Sequence, residues 1–267
     1  MSDTDTIGRA ADWLRRARLE GASVGGMPAA LRPKDEAAGY AVQEALHARL
    51  GADADGPGPV VGYKIGCTTP VMQRYLAIPH PAAGGVYERG VHHGAATVRH
   101  GVHRRPGAEC EVAVRLERPL PAFDAPYDRA RVAGAVGACM AAIEIVDDRY
   151  GDFLALGAPT LIADDFFHAG AVLGPEVAGG RDLDLAGVRG RMTVNGREVG
   201  AATGAEVMGH PLEALAWLAN ARAARGLDLP AGALVLLGSF VQVQWVAAGD
   251  VVEVEIEGLG RAGARVG

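Results

Sequence analysis

Three segments of the chain carry apolar residues at the spacing of an amphipathic helix. Pro33 and an acidic pair precede the second segment, and Gly51 follows it as a stop signal. The third begins with Pro211 in its first turn and has Gly226 beyond its end. The apolar stripes are Ile7, Ala10, Ala11, Leu14; Ala38, Ala41, Val42, Ala45, Leu46; and Leu212, Leu215, Leu218, Ala219. We therefore expect two N-terminal helices and one near the C-terminal end.

Shorter apolar or alternating runs predict β-strands. Glu111 to Leu116 alternates like a half-buried strand, and Asn195-Gly196 between two short runs is a strong hairpin signal. Ala130 to Ala141 is rich in small residues and predicts a helix that runs into a short strand at Ile143 to Val146. Thr69 to Gly85 predicts a short helix followed by a loop. The other predicted strands are Val60 to Ile65, Val172 to Leu173, Arg191 to Val194, Arg197 to Gly200, Leu234 to Leu237 and Val251 to Ile256.

This order of elements predicts an α+β protein. A helical N-terminal part over residues 1–60 ends in a linker rich in Gly, Pro and Asp, and a sheet- or barrel-rich body follows over residues 61–267. The length fits one large domain, or a main domain with a smaller appendage.

Composition and charge exclude several classes of function. The net charge is −6, and no Lys/Arg-rich face stands out, so we expect no nucleic-acid partner. The nearest basic cluster, Arg15, Arg16 and Arg18, indicates the solvated side of a helix. No run approaches the roughly 20 apolar residues needed to cross a bilayer, so we expect no membrane partner. Three cysteines without CxxC spacing fit reduced thiols, and the cytoplasm is the expected location.

Three glutamates lie within apolar segments. Glu109 and Glu111 are two residues apart on a predicted strand, so their side chains point to the same face, and Glu144 lies between two isoleucines. Burying clustered carboxylates is costly unless a cation compensates them, and hard oxygen ligands suit Mg²⁺ or Mn²⁺. Alternating glutamates on an exposed strand are also common, as we expect for Glu253 and Glu255. Spacing alone leaves both interpretations open.

Lys64 lies inside the apolar run Val60 to Gly66. A lysine in such a strand can act as an acid–base group or as an electrostatic anchor. It can equally be a surface lysine whose stem covers apolar area.

At these residues the chain resembles the 2-oxopent-4-enoate hydratase branch of the fumarylacetoacetate hydrolase superfamily, which also contains 4-oxalocrotonate decarboxylases. The resemblance runs from about residue 35 to the C-terminus, and its strength lies in the combination of pieces and their order. The matching pieces are Gly62-Tyr63-Lys64-Ile65-Gly66, Met72-Gln73, Leu76-Ala77-Ile78, Glu109-Cys110-Glu111-Val112-Ala113, Ala142-Ile143-Glu144-Ile145-Val146-Asp147, Ile162-Ala163-Asp164, Gly209-His210-Pro211-Leu212, Ala216-Trp217-Leu218-Ala219-Asn220 and Gly238-Ser239-Phe240.

The resemblance implies a mixed β-roll or barrel-like body, a homo-oligomer and a site that holds a small 2-oxo acid. By the same resemblance, Mg²⁺ or Mn²⁺ binds Glu109, Glu111 and Glu144, Lys64 is catalytic, and Ser239 helps to bind the substrate carboxylate.

Two positions depart from the hydratase pattern. A carboxylate that usually follows proline is absent from the run Pro81-Ala82-Ala83, and Leu237 stands where threonine commonly precedes Gly-Ser. Histidines that could replace the missing group, although each has a structural alternative, are His80, His92, His93 and His168.

The reaction implied first is metal-dependent hydration of 2-hydroxypenta-2,4-dienoate to 4-hydroxy-2-oxopentanoate through an enolate. Decarboxylation of a 4-oxalocrotonate-type acid is the second alternative, and hydrolysis of a C–C bond in a diketo acid is the third. A non-catalytic partner subunit is the alternative of another class. Arg74, Arg104 and Arg105 are candidates to meet a distal substrate carboxylate, although surface arginines are far commoner.

Overall fold

A computed structural model describes residues 3–179 and 182–267, and within these ranges it contains α-helices and two β-sheets. The helices are α1 Asp3–Glu20, α2 Glu36–Ala52, α3 Pro70–Leu76, α4 Arg129–Ala133, α5 Phe153–Leu156, α6 Ala158–Ala163 and α7 Pro211–Ala223. The strands are β1 Val60–Gly66, β2 Ala82–Tyr87, β3 Val91–His93, β4 Ala95–Val98, β5 Pro106–Leu116, β6 Val136–Asp147, β7 His168–Leu173, β8 Val177–Ala178, β9 Arg189–Val194, β10 Arg197–Thr203, β11 Leu234–Ser239, β12 Gln244–Trp245, β13 Val251–Ile256 and β14 Gly260–Val266.

The larger sheet has nine strands, and its main path runs β2-β1-β11-β5-β6-β7-β3. The pairs β1–β11 and β3–β7 are parallel, while β5 lies antiparallel to both β11 and β6. The long strands β5 and β6 therefore form the middle of this sheet, and β1 lies two strands away from β5.

The smaller sheet has five strands in the order β10-β9-β13-β14-β4. It packs against one face of the larger sheet, where Cys110 and Val112 of β5 share a core with Val252 and Val254 of β13. The apolar stripe of α7 joins the same core. Because β5 alternates, its glutamates point to the face opposite this core.

A second core forms around the N-terminal helices. Leu14 of α1 and Leu46 of α2 pack with Leu161 and Ile162 of α6. The Asp35 side chain accepts a hydrogen bond from the amide of Ala38 at 2.8 Å and caps the start of α2. No helix in the described ranges is both long enough and apolar enough to cross a lipid bilayer.

The α+β class is confirmed, and so are the helices that the apolar stripes predicted. In the hairpin between β9 and β10, Asn195 and Gly196 have φ values of 53° and 76°, as a tight two-residue turn requires.

Three local predictions are wrong. Half of the segment Ala130 to Ala141 is strand, because α4 ends at Ala133 and β6 begins at Val136. The loop expected up to Gly85 ends at Pro81, because Ala82 to Gly85 belong to β2, which pairs with β1. Arg18 does not lie on a solvated face, because its side chain is only 13% exposed and pairs with buried aspartates.

Candidate metal centre

Neighbouring strands of the larger sheet bring the three glutamates together. Glu109 of β5 is the direct cross-strand partner of Glu144 of β6, and Glu111 lies two residues further along the same face. One carboxylate oxygen from each of the three lies within 4.8 Å of the others. Ala113, Ala142 and other apolar residues on this face pack beyond them. The carboxylates therefore lie beside a dry part of the protein.

The two most buried carboxylates each use one oxygen in a contact with the protein. Glu111 is 1% exposed, and its Oε2 accepts a hydrogen bond from the amide of Gly238 at 2.8 Å. Glu144 is fully buried, and its Oε1 lies 2.8 Å from Nδ1 of His168 and 3.3 Å from Nζ of Lys64. The other oxygen of each, Oε1 of Glu111 and Oε2 of Glu144, is buried with no hydrogen-bond partner among the described residues.

Lys64 is 3% exposed and has two polar contacts. Its Nζ donates a hydrogen bond to the carbonyl of Phe166 at 3.0 Å and faces Glu144. Gly66 leaves room for this arrangement, because a Cβ there would lie 2.7 Å from the Phe166 ring and 3.1 Å from Nζ. Close packing therefore requires glycine at position 66.

The charges in this cluster strongly perturb one another. Burial and the carboxylate of Glu144 raise the pKa of Glu109 to about 7. Burial, Glu144 and Glu109 also raise the pKa of Glu111. Burial acts in the same direction on Glu144, but Lys64 and His168 outweigh it and lower the pKa of Glu144.

Burial opposes the positive charge of Lys64, but the three carboxylates outweigh it and raise the pKa of Lys64, which favours the ammonium form. One ammonium cannot balance three carboxylates. The cluster therefore keeps an excess of negative charge when all three are ionised.

The residues present fit a divalent cation. All three donors are carboxylate oxygens, which Mg²⁺ and Mn²⁺ prefer, and two of these groups leave a buried oxygen for which the described part of the chain offers no partner. An unpartnered buried oxygen costs free energy that a cation would offset. Glu109 is only partly buried and is therefore the most exposed of the three carboxylates.

Ser239 ends β11, opposite Glu111 in the strand register. Its hydroxyl donates a hydrogen bond to the carbonyl of Val241 at 2.7 Å, so it must rotate before it can donate to a carboxylate. Thr68, which the sequence analysis did not single out, is 5% exposed and carries a hydroxyl that lies against Gly238. A Cβ at Gly238 would lie 2.6 Å from that hydroxyl, so Thr68 lies beside the backbone that contacts Glu111.

The turn before β7 positions the groups that contact Lys64 and Glu144. Asp165, Phe166 and Phe167 have φ values of 56°, 48° and 70°, which are left-handed conformations. Such conformations cost roughly 1–2 kcal/mol for each L-residue, so the surroundings must hold the turn. The turn presents the Phe166 carbonyl to Lys64 and leads into His168, which contacts Glu144.

The other histidines proposed from the sequence lie elsewhere. His80 pairs with Glu36 at 3.1 Å and stacks on Trp217, while His92 and His93 are exposed on β3. Among the four histidines, His168 is the one that contacts a glutamate of the site. It is therefore the one candidate whose position fits a replacement for the missing carboxylate.

Two of the three candidate arginines make contacts away from the glutamates, and the third is exposed. Arg104 donates to the carbonyl of Gly21, and Arg105 lies over the ring of Trp245, 4.2 Å from its centroid. Arg74 is exposed on α3. No described contact joins any of the three to the glutamates, and their role toward a distal carboxylate stays a prediction.

Comparison with known proteins gives a family match and relatives with related names. Residues 88–267 match the family model described as fumarylacetoacetate (FAA) hydrolase C-terminal. A 2-keto-4-pentenoate hydratase from Paraburkholderia phymatum is 31% identical over 260 residues, which cover 97% of each chain. A 4-oxalocrotonate decarboxylase from Pseudomonas putida is 31% identical over 208 residues, 77% of each chain.

Among solved structures, 4-oxalocrotonate decarboxylase from Pseudomonas putida G7, complexed with magnesium and adipate, superposes with a TM-score of 0.91 at 26% identity. The match covers 100% of this chain and 98% of that one. The extent of the family match and the coverage of the relatives lead to one conclusion: the chain belongs to the fumarylacetoacetate hydrolase family.

Proposed function

We propose that this protein is a divalent-metal-dependent hydratase that adds water to a 2-hydroxy-2,4-dienoate such as 2-hydroxypenta-2,4-dienoate. The observation that carries the proposal is the buried cluster of Glu109, Glu111 and Glu144 beside Lys64, with two carboxylate oxygens that no described group satisfies. The relative named 2-keto-4-pentenoate hydratase, which is aligned over 97% of the chain, supports the choice of reaction.

Glu109, Glu111 and Glu144 would hold the cation, Mg²⁺ or Mn²⁺, through their carboxylate oxygens. When bound there, such a cation supplies Lewis-acid stabilisation of negative charge on the substrate's carboxylate and 2-oxygen. The amide of Gly238 and the imidazole of His168 each fix one of these carboxylates. Such outer contacts orient ligands and tune the affinity for the metal.

Lys64 would act on the reacting substrate. Its ammonium is held between the Phe166 carbonyl and Glu144, so it presents a positive charge and a transferable proton at a fixed position. Thr68 would donate its buried hydroxyl to the substrate carboxylate, and Ser239 would do so after its hydroxyl rotates. The substrate would therefore be held at its carboxylate end.

The overall chemistry balances with water as the only co-substrate. The dienol loses its hydroxyl proton and gains a proton at C5, which gives an unsaturated 2-oxo acid. Water then adds its hydroxyl at C4 and a proton at C3, which gives 4-hydroxy-2-oxopentanoate. Lys64 is the described acidic group best placed to move a proton in these steps.

Decarboxylation of a 4-oxalocrotonate-type acid is the second candidate. The similarity over the full chain to a 4-oxalocrotonate decarboxylase structure favours it, and Ala82 supports it because the usual carboxylate is missing there. Ala82 is fully buried, and no other acidic residue takes its place in β2. The same missing carboxylate is the best support for a non-catalytic partner role, but the intact glutamates and Lys64 speak against that role. Hydrolysis of a C–C bond has no observation of this kind in its favour.

The test is turnover by the purified protein with Mg²⁺ or Mn²⁺. We expect consumption of 2-hydroxypenta-2,4-dienoate, with 4-hydroxy-2-oxopentanoate identified by NMR and no turnover in EDTA. Faster release of CO₂ from 2-oxohex-3-enedioate would favour the decarboxylase. Cleavage of a diketo acid would favour the hydrolase, and bound metal without turnover of any 2-oxo acid would favour the partner subunit.

We further propose a homo-oligomer in the cytoplasm, with the helical part over residues 1–60 and the catalytic body over residues 61–267. The three cysteines, Cys67, Cys110 and Cys139, are free and buried, which supports a reducing compartment. Light scattering after size-exclusion chromatography tests the oligomer.

A further inference from the structure

A buried cluster of charged side chains lies at the turn before β7. Asp164 and Asp165 are both fully buried, and three cationic or ionisable side chains meet them: Arg18, His47 and Arg149. These partners come from α1, from α2 and from the segment after β6. We call these five residues the ionic cluster.

Asp165 has the densest contacts in the ionic cluster. Its Oδ1 accepts a hydrogen bond from the amide of Gly85 at 2.7 Å and lies 2.6 Å from Nε2 of His47. Its Oδ2 lies 2.9 Å from a guanidinium nitrogen of Arg18 and accepts from the Tyr87 hydroxyl at 3.3 Å. The residue is thereby fixed from several sides.

Asp164 is held in the same way. Nε of Arg18 donates to its Oδ1 at 2.6 Å, and Nε of Arg149 donates to its Oδ2 at 3.0 Å. Arg149 also donates to the carbonyl of His168 at 3.1 Å, so it spans the whole turn. The ionic cluster therefore fixes both ends of the left-handed turn at Asp165 to Phe167.

We propose that Asp165 and Arg18 are positioning residues that hold this turn so that the Phe166 carbonyl meets Lys64 and His168 meets Glu144. This inference rests on the proposed function. Left-handed conformations at three successive L-residues persist only where the surroundings impose them. Backbone hydrogen bonds hold Phe166 and Phe167, and the ionic cluster supplies the buried side-chain contacts at both ends of the turn. Without it, the turn can relax and Nζ of Lys64 loses its carbonyl partner.

The N-terminal helices α1 and α2 thereby help to position the residues that carry out the reaction. Arg18 and His47 precede residue 88, where the match to the family model begins, yet both contact the residue next to Phe166. The absence of Cβ at Gly84 allows the approach, because a Cβ there would lie 2.5 Å from the Asp165 carbonyl oxygen. A catalytic lysine displaced by about 1 Å can lose on the order of 10²-fold in rate.

The test compares two arginines of α1. Arg18→Met removes a contact to the turn, and the control Arg15→Met removes an ion pair to Asp53, which is outside the ionic cluster. Asp165→Asn is the second test variant, because it keeps the shape of the side chain. The readouts are Mn²⁺ affinity by EPR, kcat and KM at saturating metal, and hydrogen exchange of residues 160–170 in metal-free protein.

For Arg18→Met and Asp165→Asn we expect kcat per metal-loaded site to fall by about 10²-fold, and Mn²⁺ affinity to fall by no more than the roughly 10–100-fold that loss of the His168 contact would cost. Exchange of the turn amides should accelerate, while Arg15→Met keeps wild-type kcat and exchange. Unchanged kcat per loaded site, or an equal loss in Arg15→Met, would overturn the inference. Failure of both test variants to fold, with Arg15→Met folded, would assign the ionic cluster a purely structural role. A wild-type protein without hydratase turnover would refute the proposed function, whereas the exchange data would still test the turn.

Discussion

Replacing Glu109 by glutamine removes one charge from the carboxylate cluster. It tests two effects separately: the destabilisation of the metal-free protein by clustered charges, and the stabilisation that a bound cation would provide. In the metal-free protein the pKa of Glu109 is raised from 4.5 to about 7, chiefly by burial and by Glu144. The folded state therefore binds more protons than the unfolded state between these values, and its stability falls as the pH rises through that window. At about 1.4 kcal/mol per pKa unit, an ionised Glu109 costs at most about 3 kcal/mol above pH 7.

Glutamine keeps the shape and removes the charge. We expect Glu109→Gln to raise the free energy of unfolding at pH 8 in EDTA by up to about 3 kcal/mol, with little change at pH 4.5, where Glu109 is largely protonated in the folded state. Added Mn²⁺ should act in the opposite sense. At a hundred times its Kd, a ligand stabilises the wild type by about 2.7 kcal/mol, and the variant should lose most of this gain.

Urea denaturation followed by circular dichroism, at both pH values and with EDTA or Mn²⁺, measures these differences. Glu253→Gln is the matched control, because Glu253 is an exposed strand glutamate and its replacement should change stability by no more than about 0.5 kcal/mol. A Glu109→Gln protein that is no more stable in EDTA at pH 8, and that is still stabilised by Mn²⁺ as the wild type is, would refute the reasoning.

Three other substitutions probe the surroundings of Glu109. Lys64→Met should lower kcat by about 10²–10⁴-fold in steady-state assays, while Mn²⁺ affinity by EPR persists; equal loss of both would make Lys64 structural. Gly66→Ala should cost about 1–3 kcal/mol in urea denaturation and also lower kcat, because the new Cβ meets the ring of Phe166; wild-type values would contradict the packing. His168→Phe should weaken Mn²⁺ binding in calorimetry by about 10–100-fold, because Glu144 loses a contact; unchanged affinity would exclude this contribution.

The local alternation of β5 made part of the site predictable. Side chains two residues apart on a strand share a face, so Glu109 and Glu111 had to lie together if the strand formed. The position of Glu144 opposite Glu109 depends on the register between β5 and β6, which local spacing does not determine. For Glu144, the resemblance to a known family supplied the expectation.

The errors in secondary structure have a common physical cause. Ala138, Ala141 and Ala142 suit a helix by propensity, but they lie in a strand that pairs on both sides in the middle of the larger sheet. In β2, Gly84 and Gly85 have the composition of a loop. Their small size admits Asp165 and His47, which come from distant parts of the chain.

Ion pairs between residues far apart in sequence could not be predicted from local patterns either. Arg18 belongs to a basic run on α1, and its partners Asp164 and Asp165 lie more than half of the chain length away in sequence. His168 was one of four candidate histidines with nothing local to distinguish it. Tertiary structure selects it, because β7 pairs with β6 near Glu144.

The most direct test of the central claim is anomalous diffraction at the manganese edge from a crystal grown with Mn²⁺ and a 2-oxo acid analogue. We predict one strong peak per protomer, coordinated by oxygens of Glu109, Glu111 and Glu144, with the analogue's carboxylate at the same ion and Lys64 nearby. A peak elsewhere, or no peak at these three carboxylates at saturating Mn²⁺, would contradict the account.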